Sequence, residues 1–296
     1  MGPAGPLVIE NIDFAGILLG GLSAGTVLFI VSVGLSVTMG LMGFVNLAHG
    51  VFAMLGGYLM TSLMNRYGVP FLGALALAAI ATALASIPLE RLLYRRFYGG
   101  DELDQVLLTM GLVFMSVAGA TYLWGPLTQH MGPPSWLAGQ VDLGFRSFPA
   151  YRSFLILCGG ALVIALWVGL ERTRFGAQIR ASVDNLRMAQ SVGINTSRLF
   201  MLTFALGSGL AGLGGGLGAD LLAINPSYAL QYLVYFIIVV AVGGLGSIRG
   251  PFIAALLIGI ADTAFKYWLP GLGAFFIYAL TMALLLWRPQ GLFGRA

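Results

Sequence analysis

Between Phe14 and Asn65 the chain runs for 52 residues without a single Asp, Glu, Lys or Arg. At about 1.5 Å per residue, a bilayer core of about 30 Å takes about 20 residues, so this run holds two crossings with roughly a dozen residues to spare. The surplus falls at Gly40 to Gly50, where a helix break is predicted. Further apolar runs follow at 69–89, 106–124, 153–170, 199–222, 229–247, 251–268 and 272–287. The pattern predicts an all-α polytopic membrane protein with about eight to ten transmembrane helices, at least one of them discontinuous. Residues 1–296 read as one transmembrane domain, with nothing left over for a soluble one.

Composition agrees with the pattern. The chain is 58% hydrophobic and 9% charged, whereas soluble domains are about a quarter charged. The single cysteine, Cys158, lies in an apolar run and has no partner for an internal disulfide. No basic segment precedes the first apolar run, which therefore reads as a permanent span and not a cleaved signal. Basic residues then orient the chain. Arg91, Arg95 and Arg96, then Arg172, Arg174, Arg180, Arg187 and Arg198, and finally Arg249, Arg288 and Arg295 mark the cytoplasmic side. Under a nine-span reading Arg66, Arg146, Arg152 and Lys266 fall outside, together with Glu10 and Asp13, and 125–151 is the largest external connection.

Glycine and buried polar positions refine this picture. Gly16 with Gly20, Gly21 with Gly25, Gly212 with Gly216 and Gly214 with Gly218 have the spacing that lets helix backbones approach in lipid. The density in ALGSGLAGLGGGLGA, 205–219, marks a span that is tightly packed or able to bend. Asn46 and His49 stand three apart inside the apolar run. On one helix they would share a face, and two roles stay open for them: tying together the break between Gly43 and Gly50, or lining a translocation route. No cluster of Cys, His and carboxylates accompanies His49, so no metal is expected; Asp262 and Lys266 have ion-pair spacing on a helix.

The connection ERTRFGAQIRASVDNLRMAQSVGINTSR, 171–198, is too long for a turn. A helix over 182–193 is predicted, capped by Ser182 or Asp184 and stopped by Gly193. Leu186, Ala189 and Val192 recur on one side with Met188 nearby. So short a helix is marginal alone in water and needs a packing surface, either a partner protein or anionic headgroups.

RFGAQIRASVDNLRMAQSVGINTSRLFMLTFALGSGLAG, together with GFVNLAHG, ERLLYRR at 90–96, QVLLTMGL at 105–112, INPSY at 224–228, AVGGLGSIRGPFIAALLIGIAD at 241–262 and RPQGLFG at 288–294, resembles permease subunits of ABC importers for branched-chain amino acids, from about residue 15 onward. The resemblance implies inward transport of branched-chain or related small amino acids across a bacterial or archaeal cytoplasmic membrane. It also implies a second homologous permease, two cytoplasmic ATP-binding subunits and an extracytoplasmic substrate-binding protein, with no cofactor in this chain and no nucleic-acid partner. Of the two roles left open for Asn46 and His49, the route-lining one would make them the substrate-pathway residues of such a permease. Asp184, Asn185, Leu186, Met188, Ala189, Val192, Gly193 and Ile194 would couple to the ATPase. Relatives that carry urea or short amides keep those substrates open, and composition alone also fits a stand-alone channel or secondary transporter. The chain is not expected to be an enzyme: its one lysine, Lys266, has Phe265 before it and Tyr267 after it, where a P-loop needs Gly and Ser or Thr. Two positions depart from the family pattern: Arg96 stands where many relatives have proline, and Asp220 where a neutral residue is common.

Overall fold

A computed structural model describes residues 14–287 except Leu143, Phe145, Arg146 and Leu245, and also Gly291. Glu10, Asp13, Arg146, Arg288, Arg295 and, apart from Gly291, the closing RPQGLFG lie outside the described residues. The helices are α1 (Phe14–Met42), α2 (His49–Tyr67), α3 (Phe71–Leu92), α4 (Glu102–Trp124), α5 (Ala150–Glu171), α6 (Arg174–Asp184), α7 (Leu186–Ser191), α8 (Thr196–Gly218), α9 (Tyr228–Gly243), α10 (Arg249–Trp268) and α11 (Gly273–Trp287). Six of these, α1, α3, α4, α5, α8 and α10, are long and apolar enough to cross a bilayer. The shorter or more polar α2, α9 and α11 pack among them. The 29 residues of α1 rise about 43 Å, more than a bilayer core of about 30 Å, so this helix extends beyond the hydrocarbon.

Burial separates a central layer from a lipid-facing one. The most apolar window of α8 is 72% buried and that of α1 is 61%, against 17% for α4 and for α5. Glycine makes the centre possible. A methyl on Gly207 would stand 2.9 Å from the Gly34 carbonyl of α1, and one on Gly212 would stand 2.7 Å from Thr82 Oγ1 of α3. Gly215 abuts the Ala53 backbone of α2. The glycine row of α8 therefore serves close packing against three helices, and α8 runs unbroken through it. On its other side α1 meets α10 the same way, with Gly25 against the Ala255 carbonyl.

Contacts define the two ends of the bundle. Arg91 Nε donates to Met201 Sδ at 3.2 Å, and the Tyr98 ring meets Phe200 at 5.4 Å, so the connection after α3 shares an end with the start of α8 and the α6–α7 segment. At the opposite end Asn65 Nδ2 donates to the His130 carbonyl, and Tyr151 Oη donates to the Leu217 carbonyl at 2.7 Å. There the long connection between α4 and α5 carries a short antiparallel pair, β1 (Gln140–Asp142) and β2 (Ser147–Pro149), which apolar periodicity did not foretell.

Candidate functional site

The predicted break lies between α1 and α2, and it separates the two polar residues expected on one helix face. After Met42, Gly43 takes φ +58° and its N–H returns to the Met39 carbonyl, closing α1 with a left-handed cap. Asn46 lies in the turn that follows, whereas His49 opens α2. Both are buried, at 3% and 1% exposure. His49 Nε2 lies 2.9 Å from the Val31 carbonyl of α1, which assigns its proton to Nε2. Asn46 Oδ1 accepts from the Ala48 N–H at 3.1 Å and from Tyr94 Oη at 3.1 Å. Its Nδ2 has no partner among the described residues.

Around Asn46 a polar knot gathers groups from four parts of the chain. Gln105, in the first turn of α4, accepts the Val45 N–H through Oε1 at 3.0 Å. Its Nε2 donates to the carbonyls of Phe97 and Gly100 at 3.3 Å each. Glu90 is 2% exposed and accepts from Tyr98 Oη at 2.7 Å. Burial and the Glu90 carboxylate push the Tyr98 hydroxyl above its ordinary range. Phe44 fills the space between Tyr94 and Tyr98, and Tyr94 leans on Phe204 of α8 with centroids 4.7 Å apart. Two backbone donors that the break leaves open, the Val45 and Ala48 N–H groups, are thereby satisfied by side chains. Tyr94 and Gln105 stand in segments that carried the family resemblance, but sequence reasoning attached no role to them. A polar residue at the start of an apolar helix was the available signal.

The second cluster is the connection between α5 and α8, which forms two helices in place of the one expected over 182–193. Asn185 splits them. Its backbone is extended (φ −155°, ψ 101°), and its Oδ1 accepts the Met188 N–H at 2.9 Å, so Asn185 is the N-cap of α7, not Ser182 or Asp184. Ser182 is buried instead. Gly193, at φ +88°, ends the segment where expected, and the Ile194 N–H reaches back to the Ala189 carbonyl at 3.0 Å. The apolar residues do not form one stripe. Ala189 is 2% exposed and turns inward; Met188 at 62% and Val192 at 71% face out, as do Leu186 and Asp184, while Ile194 is half-buried. Val183, at the end of α6, adds a further exposed apolar side chain that the pattern had not singled out. Arg180 and Arg187 flank this face. At the other end of the bundle, Asp220 follows α8: burial raises its carboxyl above the usual range, and the Arg152 guanidinium opposes that rise.

A glycine-packed bundle of apolar helices, with a buried polar knot and an amphipathic protrusion at one end, defines a polytopic membrane permease. The family model described as branched-chain amino acid transport system, permease component, matches residues 17–285, and the chain belongs to that family. It is 29% identical over 297 residues to the high-affinity branched-chain amino acid transport system permease protein BraD of Pseudomonas aeruginosa, covering 94% of this chain and 95% of BraD. LivH of Salmonella typhimurium, described in the same words, is 26% identical over 94% of each chain. LivM of the same organism, again so described, is 27% identical over 89% of this chain and 67% of LivM. No solved structure matches.

Proposed function

We propose that this chain is one of two membrane-spanning permease subunits of an ABC importer in a bacterial or archaeal cytoplasmic membrane, moving branched-chain or related small amino acids inward on energy from separate ATPase subunits. The observation that carries the reading is the α6–α7 protrusion. Met188 and Val192 stand exposed on a short helix whose Ala189 is anchored to the body, and the chain leads from there into α8, the most buried span. A short rigid lever with an apolar outer face, joined to the centre of the bundle, suits a partner that pushes and pulls on it. Coupling requires that the partner grip this face differently in its two nucleotide states, since equal contacts would shift no equilibrium. Asp184, Asn185, Leu186, Met188, Ala189, Val192, Gly193 and Ile194 form the coupling segment in this reading. Leu186, Met188 and Val192 meet the ATPase, and Asn185, Ala189 and Gly193 shape the helix.

Likeness to both LivH and LivM of one organism supports a pair of homologous permeases, with the ATPases on the coupling side and a substrate-binding protein opposite. Asn46 and His49 lie beside the route in this reading. The test is co-purification of the ATPase with the permease, together with uptake of radiolabelled leucine by cells. Replacing Met188 and Val192 with Asp should detach or uncouple the ATPase while the permease stays folded in the membrane. Normal ATPase retention and normal uptake would overturn the docking assignment and favour a segment lying on anionic headgroups through Arg180 and Arg187. Uptake of urea in place of leucine would move the substrate assignment and leave the subunit role intact.

A further inference from the structure

The start of α2 holds hydrogen-bond donors that the fold leaves unused. Asn46 Oδ1 is occupied twice, but Nδ2 of the same carboxamide, held within about 2.3 Å of Oδ1 by covalent geometry, is buried without a partner. Because Oδ1 accepts the Ala48 N–H, the carboxamide sits at the mouth of the helix. The Gly50 N–H has no acceptor among the described residues. Two further orphan hydroxyls stand next in sequence to contacts of this site. Ser32 follows Val31, whose carbonyl holds His49, and Thr203 precedes Phe204, whose ring lies on Phe52 and Tyr94. Glu90, the buried carboxylate of the nearby knot, is engaged by Tyr98. No acidic side chain stands in the first turn of α2.

An orphaned buried donor has given up its hydrogen bonds to water with nothing in return, which is costly. Asn46 Nδ2 and the Gly50 N–H are donors without acceptors, at the positive end of a 19-residue helix that begins inside the bundle. Such an end favours a negatively charged group, and an interrupted span in a transporter is a recurrent place to find one. We propose that the start of α2 is a station for the carboxylate of the transported amino acid, with Asn46 Nδ2 and the Gly50 N–H as its donors. The proposal rests on the importer reading and gives it a chemical contact. The station is closed in this conformation: the Ala229 backbone and the Phe236 ring lie against Gly50, so a solute reaches it when α9 moves off α2.

Asn46→Asp separates this role from a structural one. The substituted side chain keeps an oxygen to cap Ala48 and to accept from Tyr94, but it replaces the Nδ2 donor with a second oxygen that repels a carboxylate. In the whole importer, maximal uptake of radiolabelled leucine should fall about tenfold or more, the scale of one lost charge-assisted hydrogen bond. The half-saturating concentration and ATPase retention should stay as in the parent, whereas the melting temperature should fall, because the carboxylate is placed at a buried position. Asn46→Ser, which keeps a capping oxygen and lacks the amide donor, should lose uptake in the same direction. Asn65→Asp, which places a carboxylate at the exposed far end of the same helix, should transport normally. Undiminished uptake by assembled Asn46→Asp overturns the proposal, and so does failure of both position-46 variants to assemble, which would make Asn46 a folding residue alone. A parent importer that takes up no leucine would instead overturn the amino-acid assignment on which the proposal rests.

Discussion

Two asparagines cap two helices in this molecule, and their surroundings give them different work. Asn185 caps α7 through the Met188 N–H and stands exposed, next to apolar side chains that nothing among the described residues covers. Asn46 caps the entry to α2 through the Ala48 N–H and is buried, with its oxygen shared with Tyr94 and its nitrogen left over. The local device is the same. At the surface it sets the shape of a segment whose outer face keeps Met188 and Val192 exposed. In the bilayer interior, where an unmet polar group is costly, it ties α2, the connection after α3 and the start of α4 into one knot.

This contrast breaks most visibly at the protrusion. Asp at both 188 and 192 should abolish leucine uptake without changing the melting temperature of the detergent-solubilised permease, because both side chains already face outward. Ala189→Asp tests the inward side of the same helix. It forces a carboxylate into a site that is 2% exposed, and it should cost about 3 kcal/mol or more and open α7, seen as rapid amide exchange at 186–191. At the buried asparagine, Asn46→Ala removes a cap worth about 1 kcal/mol and strands the Tyr94 hydroxyl for about 1–3 kcal/mol more. A fall of about 2 kcal/mol in stability, read from the melting temperature, is expected. Asn185→Ala should cost about 1 kcal/mol or less and stay local to α7, without shifting the global melting temperature. Equal losses from the two alanine variants would erase the distinction between them.

The glycine row of α8 shows how far pattern carried the fold. Its spacing announced close helix approach, and the structure packs it on α1, α2 and α3; which helices would be its neighbours was not written in that spacing. The break near Gly40 to Gly50 was likewise legible, because a charge-free run too long for two crossings has to place its surplus somewhere. That Asn46 and His49 would part company was not legible, since a helix face assumes a helix, and the left-handed Gly43 ends one before Asn46 is reached. In the α6–α7 segment the stop at Gly193 could be read. The inward turn of Ala189 and the break at Asn185 could not, because the capping candidates read from the sequence were Ser182 and Asp184, and neighbouring cap-formers are told apart only by the backbone the fold imposes.

By itself, then, the sequence determined the solvent, the helical class, the segments and the family. Hydrophobicity and chain rise are local quantities, and a bilayer allows few other solutions for such runs. Only the tertiary structure decided which polar groups meet. Tyr94 and Gln105 find the α1–α2 turn from 48 and 60 residues away. Hydrogen bonds act over about 3 Å, and no periodicity along the chain specifies partners that far apart.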